Sequence, residues 1–212
     1  MQLIDLSHPI KSGDLVFEGM EKPALKALKK VEEHGFAITE FTLHSHNGTH
    51  VDAPSHMLAN TRTLSDFAVD KFHGTALQIP CAKFAKHEIP LSYLKIFESK
   101  IRQVEYVILN TGWSEKWNTP AYYDNFPVLS EESAKWLTNF KLKGLACDVV
   151  SVDHIKSQTV PIHIILLSKE ILIIENLTNL NTLGADPFTF QCLPLKFDKI
   201  DGSPIRAVAF VD

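Results

Sequence analysis

An α/β fold, a sheet with helices on its faces, is predicted by three observations. Residues 75–80 read as a strand, Leu94, Phe97 and Ile101 follow at helical spacing, and Tyr106-Val107-Ile108-Leu109 is a buried-type strand. The same order recurs where Leu145-Ala146-Cys147-Asp148 is followed by a Pro161-led helix and the run Ile171 to Glu175. At 212 residues the chain suits one domain, residues 1–212, large enough to bury a real core.

Taken in order, residues 3–8 alternate enough for a short strand, stopped by Pro9. Residues 24–33 stay open between helix and strand, because Leu25, Leu28 and Val31 recur at helical spacing. Residues 36–43, rich in Phe, Ile and Thr, read as a strand that delivers His44 and His46 at its end. Residues 60–71 suggest a short helix or an irregular loop. Ser92 is placed to cap the helix through Leu94, Phe97 and Ile101. Ser130 can cap another from Glu131 to about Lys141, with Ala134, Leu137 and Phe140 as its apolar stripe. In the tail, residues 194–196 and 201–210 read as two antiparallel strands joined through a Gly-Ser-Pro turn.

Lys plus Arg number 21 against 25 for Asp plus Glu, a formal charge of −4, and no run of like charge stands out. That argues against nucleic acid or an anionic membrane as partner. The start, Met1-Gln2-Leu3-Ile4-Asp5, lacks the basic and apolar regions of a signal peptide. The most apolar window, residues 161–174, is broken by Lys169-Glu170 and is too short to span a bilayer. Cys81, Cys147 and Cys192 are odd in number and far apart, so reduced, buried thiols in a cytoplasm are expected, with no disulfide framework or Cys-type zinc site.

Chemistry concentrates between residues 43 and 56, in Leu43-His44-Ser45-His46-Asn47-Gly48-Thr49-His50-Val51-Asp52-Ala53-Pro54-Ser55-His56. His50 and Asp52 are two apart, so an extended segment sends both to one face. His46 lies four before His50, across a Gly48 that lets the backbone turn. Imidazole and carboxylate are usual ligands of zinc and related ions, and three from one stretch leave a position for water. His56, beyond the stiffening Pro54, reads as the proton-transfer group, while His8 and His44 read as structural. Glu175 ends an apolar run, where an unpaired carboxylate is costly and invites a cation or strong donors; His163 poses a milder version. Asp148 and Asp153 either orient a ligand from behind or serve caps and turns. Arg206 either grips a substrate carboxylate or forms an ion pair. Trp113, Trp117, Tyr122, Tyr123 and Phe126 either hold a flat substrate or anchor a long loop.

The pattern His46-x-x-x-His50-x-Asp52-x-x-x-His56 resembles the signature of the cyclase family of metal-dependent hydrolases, which includes bacterial kynurenine formamidase and isatin hydrolase. Asp5-Leu6-Ser7-His8, Thr111-Gly112-Trp113, Glu175-Asn176-Leu177 and the Asp201-Gly202-Ser203-Pro204-x-Arg206-Ala207 tail extend the likeness over nearly the whole chain. The resemblance implies a compact swivelling β/β/α domain with a mixed sheet, strands ahead of the signature, a homo-oligomer, and His163 and Glu175 as ligands of a second metal. Met57 stands where an aromatic is commoner and His154 where proline is commoner; both departures bear on the substrate pocket.

The activity so implied is hydrolysis of a formyl-amide or cyclic amide, with N-formylkynurenine as the best single substrate. His46, His50 and Asp52 would hold the first ion, Asp52 would bridge to the second, and His56 would protonate the leaving amine. The ligand set suits one or two zinc ions, and manganese tolerates the same groups. Two further readings belong to other classes: a metal-dependent binding protein without turnover, in which His56 has no purpose, and a cyclising enzyme or dehydratase that polarises a carbonyl.

Overall fold

The computed structural model describes residues 2–85 and 87–211. Among these the chain runs β1 (Gln2–Asp5), β2 (Ala24–Lys29), α1 (Val31–His34), β3 (Ile38–Thr42), β4 (His50–Asp52), β5 (His73–Pro80), β6 (Glu88–Ile89), α2 (Leu91–Leu94), α3 (Glu98–Ile101) and β7 (Tyr106–Asn110). There follow β8 (Val128–Leu129), α4 (Glu131–Leu137), β9 (Gly144–Cys147), α5 (Pro161–Leu167), β10 (Leu172–Glu175), β11 (Phe188–Gln191), β12 (Gly202–Pro204) and β13 (Val208–Val211).

Nine strands form one mixed sheet in the order β1-β13-β11-β5-β7-β9-β10-β4-β12. Its centre, β5-β7-β9-β10, is parallel, while β11, β13 and β1 on one side and β4 and β12 on the other join antiparallel. Alternation along the parallel strands sends Leu77, Val107, Leu109, Leu145 and Ile173 to a cluster shared with Leu94, Ile101, Leu137 and Leu166 of the helices. Ala76, Tyr106, Ile108, Ala146 and Ile174 point to the opposite face. These strands are apolar on both sides because both sides are covered.

The second face is closed by the sheet itself. β12 and β13 lie near opposite edges of the strand order, yet only residues 205–207 separate them. Four residue steps from Pro204 to Val208 span at most about 14 Å. The sheet must therefore roll until its sides meet, and Ile4, Val51, Phe190 and Ala209 share one cluster. Backbone bonds cross the seam from Ile205 N to Thr49 O and from Thr178 N to Leu6 O, each 2.9 Å.

The large curled mixed sheet with few helices agrees with the α/β fold expected. Residues 24–33 divide into strand β2 and the single turn α1, and β2 pairs only with β3 as a separate two-stranded ribbon. Leu25 and Leu28 remain exposed there, so their helical spacing marks no core stripe. Residues 60–71 hold two 3-10 turns, Leu64–Asp66 and Val69–Phe72. Three details differ from expectation. Ser92 does not cap: Pro90 fills the N-cap position, and the helix breaks into α2, a 3-10 turn and α3. Ser130 does cap α4, accepting from Ser133 N at 3.2 Å, but the helix stops at Leu137. In the tail the two segments do meet, at an isolated antiparallel bridge between Pro194 and Ile205, but Gly-Ser-Pro is no turn: it is strand β12, paired to β4, whereas β13 pairs with β1 and β11.

Candidate metal centre

β4 is three buried residues clamped between β10 and β12. Val51 points into the core, so His50 and Asp52 share the other face. Glu175 of β10 is the registered partner of His50, and directly opposed residues in a sheet project to the same side. Gly48, at φ +67°, makes the turn that returns His46 to this face; a Cβ there would lie 2.7 Å from Ile10 Cγ1. His163 arrives from the first turn of α5, which Pro161 opens. Asp153 accepts from Ile162 N at 3.0 Å and His163 N at 2.9 Å, capping that helix.

The three imidazoles are oriented alike. Each has one nitrogen held from behind: His46 Nε2 by Asp201 Oδ2 at 2.8 Å, His50 Nδ1 by Gly48 O at 2.9 Å, His163 Nδ1 by Asp153 Oδ2 at 2.7 Å. Each presents the other to buried carboxylates. His46 Nδ1 is 2.7 Å from Asp52 Oδ1; His50 Nε2 is 3.3 Å from Asp52 Oδ1 and 3.4 Å from Glu175 Oε2; His163 Nε2 is 3.5 Å from Glu175 Oε1 and 3.9 Å from Asp52 Oδ2. Asp52 Oδ2 is buried with no hydrogen-bond partner.

With the outer nitrogens donating, the inner ones bring lone pairs towards carboxylate oxygens, an arrangement that is repulsive without a cation or extra protons. In the metal-free protein protons fill this need. Burial works to lower the pKa of His50, but the Asp52 and Glu175 carboxylates override it and raise it to about 10. Burial likewise opposes the rise of His46 to about 9, which Asp52 and Asp201 bring about. Burial pushes Asp52 upward, and the adjacent His50 and His46 nevertheless hold it well below the usual carboxylate range. Imidazole nitrogens and carboxylate oxygens fit zinc or manganese. His50, Asp52 and Glu175 form one triad close enough to share an ion, and His46, Asp52 and His56 form another, with Asp52 common to both.

His56 ends the 3-10 turn Pro54–His56, with its ring centroid 3.9 Å from that of His46. Burial lowers its pKa, with the charges of Asp52 and His46 acting in opposite senses. Beside the cluster lies a cavity of about 300 Å³, with Leu15, Phe17, Met57, Trp117 and Tyr123 among its apolar walls and His44 and His154 also lining it. The aromatic residues thus divide. Trp117 and Tyr123 face the cavity, whereas Trp113, Tyr122 and Phe126 are core.

The remaining candidates fall away from the cluster. Asp148 accepts from Thr111 N, Thr111 Oγ1 and Trp113 N at 2.9, 2.6 and 3.0 Å, which clamps the loop after β7. Arg206 makes a two-pronged pair with Asp5 at 2.8 and 2.6 Å while its side chain is 75% exposed. His8 stacks on Trp117 with centroids 4.1 Å apart. Sequence reasoning passed over Asp201 and Gly202, noted only as part of the tail likeness, and over the Asn176 side chain. Asn176 donates to Gly48 O at 2.8 Å and accepts from Tyr122 OH at 2.8 Å, so it ties β10 to the histidine turn.

A rolled mixed sheet carrying a buried histidine and carboxylate cluster beside an apolar cavity defines an α/β protein built around a candidate metal centre. The family model described as "Putative cyclase" matches residues 4–154, most of the chain, and the chain belongs to that family. It is 28% identical over 206 residues to kynurenine formamidase of Bacillus anthracis, covering 97% of this chain and 95% of that one. It is also 28% identical over 213 residues to an uncharacterized protein of Methanocaldococcus jannaschii, covering the whole of both. Among solved structures, an isatin hydrolase bound to the product analogue thioisatinate superposes with a TM-score of 0.90 at 20% identity, over 99% of this chain and 92% of that chain, and so shares the fold.

Proposed function

We propose that this chain is a metal-dependent hydrolase that opens an amide bond of a small aromatic substrate, with N-formylkynurenine the first candidate. The observation that carries the reading is the convergence of three imidazole nitrogens, His46 Nδ1, His50 Nε2 and His163 Nε2, on two buried carboxylates, one oxygen of which has no partner. His46, His50 and Asp52 would hold one ion, and His163 and Glu175, together with Asp52, another. A divalent ion bound there, zinc or manganese, supplies Lewis acidity that polarises a carbonyl and lowers the pKa of water.

The chain's own residues supply the rest. His56, neutral near pH 7 because burial lowers its pKa, accepts a proton from the attacking water and returns it to the leaving amine. Trp117, one face of which is stacked on His8, and Tyr123 give the cavity an aromatic wall for a substrate ring. The relatives named for formamidase and isatin hydrolase activity support amide chemistry in this family. A homo-oligomer belongs to the same proposal: Leu25, Ile38 and Phe41 of the β2–β3 ribbon are exposed apolar surface that a second copy would cover, which sedimentation tests. Among the described residues no helix is long and apolar enough to cross a membrane.

The experiment is turnover of N-formylkynurenine and isatin before chelation, after it, and after zinc or manganese is returned, with the metal content measured alongside. Turnover that disappears with the metal and comes back with it is expected. Activity indifferent to complete chelation, or no product from either amide by metal-loaded protein, would overturn the reading; ligand binding without product would favour the binding protein instead.

A further inference from the structure

Asp201 has no part in the reading above, yet one of its carboxylate oxygens meets two functional rings. Oδ2 lies 2.8 Å from His46 Nε2, 3.4 Å from His56 Nδ1 and 3.5 Å from Ser45 Oγ. The backbone fixes this placement: Ala53 N donates to Asp201 O at 2.8 Å, and the next residue, Gly202, is the registered partner of Asp52. Gly202 also makes room, since a Cβ there would fall 2.5 Å from His46 Cε1. A half-exposed carboxylate in an ordinary surface pair would contribute little. This one is set by a strand edge against two rings whose centroids are 3.9 Å apart.

We infer that Asp201 is a positioning residue that orients His46 and His56 together, an inference that rests on the proposed hydrolase reading for its second half. At His46 it accepts a hydrogen bond from Nε2–H, which fixes Nδ1 as the nitrogen turned towards Asp52 and raises its basicity as a ligand. At His56 it faces Nδ1, which leaves Nε2 as the nitrogen that exchanges protons.

The test uses the full chain with Asp201→Ala, Asp201→Asn and Asp201→Glu, and zinc alone as the first probe. Competition against a chromophoric chelator should show zinc bound about 10–100-fold more weakly by Asp201→Ala, with Asp201→Asn intermediate and Asp201→Glu close to the parent. On an amide the parent turns over, kcat should fall about tenfold or more in Asp201→Ala while KM stays within about twofold, and Asp201→Glu should recover most of it. Zinc affinity within about twofold of the parent in Asp201→Ala overturns the inference. So does a Glu variant no better than Ala with an equally lowered melting midpoint, which would mark a structural role. The zinc measurement needs no substrate, so an inactive parent would sink the hydrolase reading while the hold of Asp201 on His46 is still read.

Discussion

Gly202→Ala adds one methyl group at the most crowded approach in the site. The new Cβ would stand 2.5 Å from His46 Cε1 and 3.0 Å from each ring nitrogen, where carbon atoms normally keep about 3.5–4.0 Å. Gly202 is not among the residues with positive φ, so the substitution strains no backbone angle and acts through the clash alone. His46 cannot yield freely, because Asp52 and Asp201 hold its two nitrogens at 2.7 and 2.8 Å. Moving the ring by the roughly 1 Å required breaks at least one charge-assisted hydrogen bond, worth about 1.5–3 kcal/mol. At about 1.4 kcal/mol per factor of ten, zinc affinity should fall about 10–100-fold. Chelator competition measures that, with circular dichroism confirming that the sheet persists. A Gly202→Ala protein that is folded and binds zinc within about twofold of the parent would refute the placement of His46 among the ligands.

His56→Ala should keep its zinc, by elemental analysis, while kcat on an amide substrate drops about 100-fold or more; undiminished turnover would remove the acid–base assignment. In metal-free protein His50 and His46 hold protons up to about pH 10 and 9, whereas the unfolded chain releases them near 6.5. Their contribution to stability is therefore complete below pH 6.5 and drains away as pH rises through 9 to 10, so the melting midpoint of chelated protein should decline over that window; a flat profile contradicts the pairing. Asp153→Ala strips the buried acceptor from Ile162 N, His163 N and His163 Nδ1, and urea denaturation should register a loss of at least about 1–2 kcal/mol. Arg206→Ala should leave turnover unchanged, since its partner is Asp5 on the surface; a raised KM would return Arg206 to the substrate.

The local geometry of the candidate site was legible because it depends on short-range spacing. His50 and Asp52 sit two apart on a strand, Gly48 turns the chain, and Pro54 redirects it so that His56 comes back against His46. Glu175 gave itself away by following four apolar residues. Asp201 was hidden because it meets His46 across 155 residues, through a pairing of β12 with β4 that no periodicity encodes. The same pairing explains the misread tail. Gly-Ser-Pro is ordinary turn chemistry, but here the glycine is required by a ring and the rolled sheet supplies β4 as the partner. Ser92 misled for a local reason: Pro90 is held extended and takes the boundary position two residues earlier.

The closing of the rolled sheet bears on when the centre can come into being during synthesis. His46, His50 and Asp52 leave the ribosome about 150 residues before the strand that braces them, so for most of translation they hang from an unfinished cylinder. Only once β12 docks beside β4 do Asp201 and Gly202 set the His46 ring, and a nascent chain halted before that point would carry the candidate metal centre as loose side chains with no fixed geometry.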